Sequence, residues 1–148
     1  GFSLAGEDKV YTSGTERVII EYKGWRICPQ ICYDLRFPVW ARNTDNYDVL
    51  LYVANWPKPR ITAWDTLLKA RAIENMSYCI GVNRVGLDAN NYEYPGHSAV
   101  YDVLGKKLTR ENSNKETIEM ITLSKSHIEI NRRYLGFLND RDSFNLTV

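Results

Sequence analysis

Apolar positions along the chain follow two rhythms, short β-branched runs and one long stretch at helical spacing. Residues 17–25 (RVIIEYKGW) are β-branched and aromatic with Lys23-Gly24 as a turn, and residues 26–34 (RICPQICYD) continue strand-like to Asp34. Pro29 sits inside that second run and has no amide to give a ladder, which suggests an edge position or an irregularity. Residues 47–55 (YDVLLYVAN) are almost continuously apolar, as in a strand buried on both faces. After Pro57 and Pro59, residues 60–78 place Ile61, Trp64, Leu68 and Ala72 at helical spacing and predict the clearest helix. Residues 79–86, 98–105 and 116–123 read as further strands, separated by Gly and Asn turns. Residues 124–135 open on Ser124, a good N-cap, and predict a last helix; the tail, 136–148, is mixed and reads as irregular. Strands interleaved with two or three helices, with no repeat or linker, predict a mixed α/β fold in one unit or part of one.

Composition narrows the partners. A chain of 148 residues with 44% hydrophobic and 25% charged residues can bury a core. A formal net charge of +1, with basic residues scattered, gives no reason to expect nucleic acid or a membrane surface. No apolar run approaches the roughly 20 residues of a membrane helix. The opening residues, GFSLAGEDKV, lack the basic start and apolar core of a signal peptide. Three cysteines cannot all pair, and Cys28 and Cys32 lie four apart in one apparent strand, so a reducing cytoplasm is expected.

Cys32 is the residue that raises a chemical question. It leaves an apolar run and enters the polar Asp34-Leu35-Arg36 stretch before Pro38. A thiol attacks only as thiolate, and an ordinary cysteine pKa of about 8.5 leaves little of it at neutral pH, so activation is needed. The amide of Tyr33, just after it, is then free to receive an oxyanion. The other reading makes Cys32, like Cys28 and Cys79, a small buried hydrophobe, and composition alone favours that one. Cys28 and Cys32 form half a metal ligand set with no second pair at structural zinc spacing, so no metal site is expected. His97 lies downstream and suits a Cys-His hydrolase, although a lone histidine at a strand start is more often a turn residue. Glu7 follows a small-residue turn and reads by default as solvated. Asn55 and Trp56 end an apolar strand, where ligands gather in open α/β sheets; the bland reading is a strand cap and a core tryptophan. Lys69, Arg71 and Glu74 read as a solvated helix face, with an Arg71–Glu74 pair at i+3.

The blocks ICYDLRFPVWARN, YDVLLYVANWP, LLKARAIENMSYCIGVNRVG and YPGHSAVYDVLG, in this order, resemble the nitrilase superfamily of carbon–nitrogen hydrolases. The likeness is closest to its omega-amidase-like branch, to which the tail FLNDRDSF is also similar. It runs from about Glu7 to Phe144. The resemblance implies part of an α-β-β-α nitrilase-type sandwich and a Glu-Lys-Cys triad. In that chemistry a cysteine attacks a small carboxamide, releases ammonia and passes through a thioester that water opens, with no cofactor. It places Cys32 as nucleophile, the Tyr33 amide in the oxyanion hole, and Glu7 as a second glutamate that positions substrate and lysine. Asn55 and Trp56 then line the pocket, and Arg36 stands beside it as a structural or carboxylate-binding residue. The family's lysine and base glutamate would precede Gly1, and Lys9, Lys23, Lys58 and Lys69 do not occupy the motif position. The expectation is therefore the C-terminal portion of one hydrolase domain over residues 1–148, inactive without the missing N-terminal half and leaving one sheet face uncovered. Its substrate would be a small amide of a dicarboxylate or 2-oxo acid, and its assembly a dimer touched by the tail from Gly136. A non-catalytic remnant or assembly module is the alternative.

Overall fold

The computed structural model describes residues 2–147; Gly1 and the tail's last residue, Val148, lie outside the described residues. Seven strands and three α-helices follow in order among the described residues: β1 (Ile20–Tyr22), β2 (Trp25–Ile31), α1 (Pro38–Ala41), β3 (Val49–Ala54), α2 (Ile61–Asn75), β4 (Tyr78–Asn83), β5 (Val85–Leu87), β6 (Glu93–Pro95), β7 (Ala99–Tyr101) and α3 (Lys125–Leu135). The main sheet has five strands in the order β1-β2-β3-β4-β7. β2, β3 and β4 run parallel at its centre, with β1 and β7 antiparallel at the two edges. β5 and β6 form a separate hairpin beyond the end of β4.

Alternation along the parallel strands assigns each face its partner. Cys28, Leu50, Tyr52 and Cys79 point to one side and meet Trp64, Leu68 and Ala72 of α2 in the main core. The approach is close enough that a Cβ on Gly81 would fall 2.5 Å from Leu68 Cδ1 and 2.7 Å from Trp64 Cζ2. On the other face Val49, Tyr78, Val100 and Val103 pack with Ile128 of α3. The Ser124 hydroxyl accepts from the His127 amide, which makes Ser124 the N-cap read from the sequence. Arg132 ties α3 to the sheet by donating to the carbonyls of Met76 (2.9 Å) and Tyr47 (2.7 Å), and Lys125 meets Asp48 at 2.8 Å.

The second face is covered only at the strands' N-terminal ends. Toward the C-terminal ends Ile31, Val53 and Val82 stand in one cross-strand row and are 66%, 47% and 50% exposed. The expectation of a strand buried on both faces over residues 47–55 is corrected accordingly: Leu50 and Tyr52 are buried, whereas Val53 opposite them is half-exposed. Pro29 is tolerated because the β1 ladder ends at Ile27, leaving Pro29 on a stretch of β2 flanked only by β3.

Three more expectations change. The run 26–34 leaves the strand at Ile31 and turns into a 3-10 helix, Cys32–Arg36. Residues 116–123 pair with no strand among the described residues; Ile121 and Leu123 pack inward while Ile118 and Met120 face solvent. Arg71 is buried rather than solvated, although its pair with Glu74 is present at 3.0 Å.

Candidate active site

Parallel strands end at one rim of the sheet, and the loops leaving β2, β3 and β4 there enclose a cleft of about 750 Å³. Glu7, Cys32, Tyr33, Arg36, Asn55 and Trp56, far apart in the chain, all line it.

Cys32 is the first residue after β2 and the first of the 3-10 turn. Its φ of 42° puts a side-chain-bearing residue in the left-handed region, which costs about 1–3 kcal/mol and persists only where the surroundings impose it. The turn is held from within: the Asp34 carboxylate accepts from the Ile31 amide at 3.0 Å, and the Phe37 amide donates to the Asp34 carbonyl at 3.0 Å. The result aims Sγ at the cleft, 4.0 Å from the Asn55 carbonyl oxygen. Burial pushes the Cys32 thiol above its ordinary pKa, and the negative charges of Glu7 and Asp34 add to that. Main-chain hydrogen bonds at Asn55 and Tyr33 pull the other way.

Glu7 follows the left-handed turn at Gly6 (φ 74°), and its Oε2 accepts from the Phe2 amide at 3.0 Å. The Tyr33 ring stacks on Phe2 with centroids 4.5 Å apart and meets Phe37 edge-on at 5.1 Å. Arg36 lays its guanidinium over the Trp56 ring at 4.9 Å. Trp56 itself is only 3% exposed; its Nε1 donates to the Arg60 carbonyl at 2.7 Å and its ring lies 5.6 Å from that of Trp64. It is at once packed in the core, part of the cleft wall and a platform for Arg36.

His97 does not line the cleft. Its Nδ1 lies 3.1 Å from both carboxylate oxygens of Asp65 and its Nε2 is 3.1 Å from Ser113 Oγ, so its ring nitrogens are engaged away from Cys32. Cys28 and Cys79 are fully buried in the core. Among the described residues no group of three or more His, Cys, Asp or Glu could hold a metal ion, and no helix is long and apolar enough to cross a membrane.

Four polar cleft residues escape the sequence reading: Arg60, Asn83, Arg84 and Tyr94. Asn83 clamps the loop after β3, accepting from the Trp56 amide at 2.7 Å and donating to the carbonyls of Trp56 (3.0 Å) and Gly96 (2.8 Å). A signal for it existed, since Asn83 ends its apolar run as Asn55 ends the neighbouring one. Arg84, stacked on Tyr94 at 4.9 Å, carries no comparable signal.

The carbon–nitrogen hydrolase profile matches residues 4–132, from the turn before Glu7 into α3. The chain belongs to the carbon–nitrogen hydrolase family. An omega-amidase, YafV, of Yersinia enterocolitica is 46% identical over 143 residues, covering 97% of this chain and 56% of that protein. A 2-oxoglutaramate amidase of Bacillus subtilis is 39% identical over 119 residues, covering 79% of this chain and 45% of its own. Among solved structures, a CN-hydrolase superfamily protein of Xanthomonas campestris with an arsenic adduct in its active site superposes with a TM-score of 0.94. It is 44% identical, over 99% of this chain and 58% of that one. The carbon–nitrogen hydrolase chain described here thus spans about half the length of these relatives. Its mixed α/β architecture is that of the nitrilase fold, as the sequence motifs implied.

Proposed function

We propose that the cleft is the nucleophile side of an amidase centre. Cys32 Sγ attacks the carbon of a small carboxamide, and the oxyanion of the tetrahedral adduct turns toward the Tyr33 amide. Collapse expels ammonia and leaves a thioester, which one water hydrolyses to the acid and free thiol. The observation that carries this reading is the left-handed backbone of Cys32 at the end of a parallel strand, which aims its sulfur into a cleft. The arsenic adduct in the active site of the 44%-identical relative supports it, because arsenic is strongly thiophilic.

Within this reading Glu7 positions substrate, and Asn55 and Trp56 shape the pocket. Among the described charged residues the cleft presents Arg36, Arg60 and Arg84 against Glu7 alone, so it suits a substrate that carries a carboxylate at its far end. The omega-amidase and 2-oxoglutaramate amidase relatives favour the ω-amide of a dicarboxylate or 2-oxo acid.

No lysine lines the cleft among the described residues. The lysine and base glutamate of the family triad are therefore to be supplied from outside these 148 residues, by an N-terminal half of the same fold covering the Ile31–Val53–Val82 row. Residues 1–148 are then the C-terminal portion of one hydrolase domain and nearly inactive alone, since members of such a unit act together. Three free cysteines suit a reducing cytoplasm. Exposed Phe137, Phe144 and Leu146 make the tail a contact surface for a dimer, and a chain ending at Leu135 should lose that dimer by light scattering.

The test is iodoacetamide labelling at near-neutral pH with peptide mapping, on this chain alone and with the N-terminal half added as a second chain. Acceleration at Cys32 on complementation, together with ammonia release, supports the amidase. A Cys32 rate unchanged on complementation, with no turnover, makes the chain a non-catalytic assembly module instead.

A further inference from the structure

Arg71 is 4% exposed on α2, and its guanidinium crosses to the carbonyl of Leu35, 36 residues earlier, at 2.7 Å. Leu35 lies in the 3-10 turn that Cys32 opens, and its own side chain is fully buried. We propose that Arg71 is a positioning residue for Cys32: it clamps the far end of the turn and so maintains the left-handed backbone that aims the sulfur. This rests on Cys32 being the nucleophile.

The carbonyls at the end of a short helix have no partner inside it, and one buried without a donor is costly. Arg71 supplies that donor with a charged group, which makes a stronger hydrogen bond than a neutral one. Its second arm donates to Glu74 at 3.0 Å, so the guanidinium is fixed at both ends. α2 is in turn fixed by Trp64, Leu68 and Ala72 in the core. The turn is thus tied to a helix anchored in the main core. Arg71 acts by shape: burial is the main influence on the Cys32 thiol, with main-chain hydrogen bonds and the carboxylates of Glu7 and Asp34 beside it. A lysine keeps the positive charge but lacks the planar fork that serves both the Leu35 carbonyl and Glu74.

The consequence separates reactivity from turnover. When the clamp is loosened, Cys32 relaxes to an ordinary backbone conformation and its thiol becomes more solvated. Its apparent pKa then falls toward that of a free cysteine, and alkylation at neutral pH speeds up. Catalysis moves the opposite way, because the sulfur no longer meets the substrate carbon in line.

The experiment measures the pH profile of iodoacetamide alkylation at Cys32 in the wild-type chain, Arg71→Lys and Glu74→Ala, and turnover of the same chains with the N-terminal half added. The expected result for Arg71→Lys is a downward-shifted profile and faster labelling, with turnover lower by roughly 10- to 100-fold, the scale of a small misplacement. Glu74→Ala, at an exposed position, shows the same signs more weakly and carries the test if Arg71→Lys does not fold. A wild-type profile and wild-type turnover in the folded variants would overturn the proposal. Cys32→Ala with turnover intact would instead overturn the nucleophile reading, whatever Arg71 does.

Discussion

Cys32 Sγ and the main-chain carbonyl of Asn55 face each other at 4.0 Å across the ends of two parallel strands, 23 residues apart in sequence. That contact, with Arg36 stacked on Trp56, joins the turn after β2 to the loop after β3. The thiol there is held above its ordinary pKa chiefly by burial, against the pull of main-chain hydrogen bonding at Asn55.

The charge of Glu7 adds to that elevation. A negative neighbour disfavours the thiolate, so Glu7→Gln lowers the Cys32 pKa and raises its alkylation rate at fixed pH. A slower or unchanged rate by stopped-time mass spectrometry contradicts the electrostatic contact. With the N-terminal half present, the same variant loses activity if Glu7 positions substrate.

Burial raises the thiols of Cys28, Cys32 and Cys79 alike. In each case the folded state retains a proton that the unfolded chain gives up, so their contribution to stability is complete below the unfolded pKa of about 8.5 and is lost as pH climbs through the folded values. The melting temperature therefore declines on going from about pH 8 to about pH 10. Cys79→Ala starts lower but falls less steeply; an equal slope in scanning calorimetry excludes Cys79 as a source.

Arg36 stacks on Trp56 at the cleft wall. If it receives the substrate's carboxylate, Arg36→Met removes a charge-assisted hydrogen bond of about 1.5–3 kcal/mol and raises KM roughly 10- to 100-fold for an ω-amide bearing a carboxylate. An uncharged amide of the same length should be affected little. Equal losses on both substrates assign Arg36 to the structure of the turn instead.

His97 bonds Asp65 and Ser113 rather than Cys32. His97→Ala should lower the melting temperature while leaving the Cys32 pH profile in place. A loss of about 10²–10⁴ in turnover, the range of a missing general base, would revive the Cys-His hydrolase.

Gly81 is the point where β4 passes under α2. Gly81→Ala drives a methyl into Leu68 and Trp64, a clash costing about 1–3 kcal/mol. Gly14→Ala, with nothing within 4 Å of its added carbon, is the control and should stay within about 0.5 kcal/mol of wild type. Denaturant unfolding distinguishes the two.

Much of the frame was legible because local pattern and tertiary environment agree. Trp64, Leu68 and Ala72 share a helix face and are all buried; Ser124 caps α3; the run ending at Asn55 is a strand, whereas the run 79–86 divides after Asn83 into β4 and β5. The failures are equally specific. Residues 116–123 have strand composition, but a strand exists only through a partner, and none is present among the described residues. Arg71 looks like a surface charge at i−3 from Glu74, since nothing local reveals that the Leu35 carbonyl waits 36 residues away.

The order of apolar runs and turn residues therefore determined by itself a mixed α/β fold with Cys32 and Asn55 where apolar runs give way to polar residues. Periodicity reports which side a residue faces and strand length reports where the chain leaves the sheet. Only the tertiary structure decided that Cys32 stands in the left-handed region with its sulfur in a cleft. That conformation is unfavourable for any residue with a Cβ, so no local preference can encode it. It exists because Asp34, Leu35 and Arg71, drawn from two elements, hold the turn together.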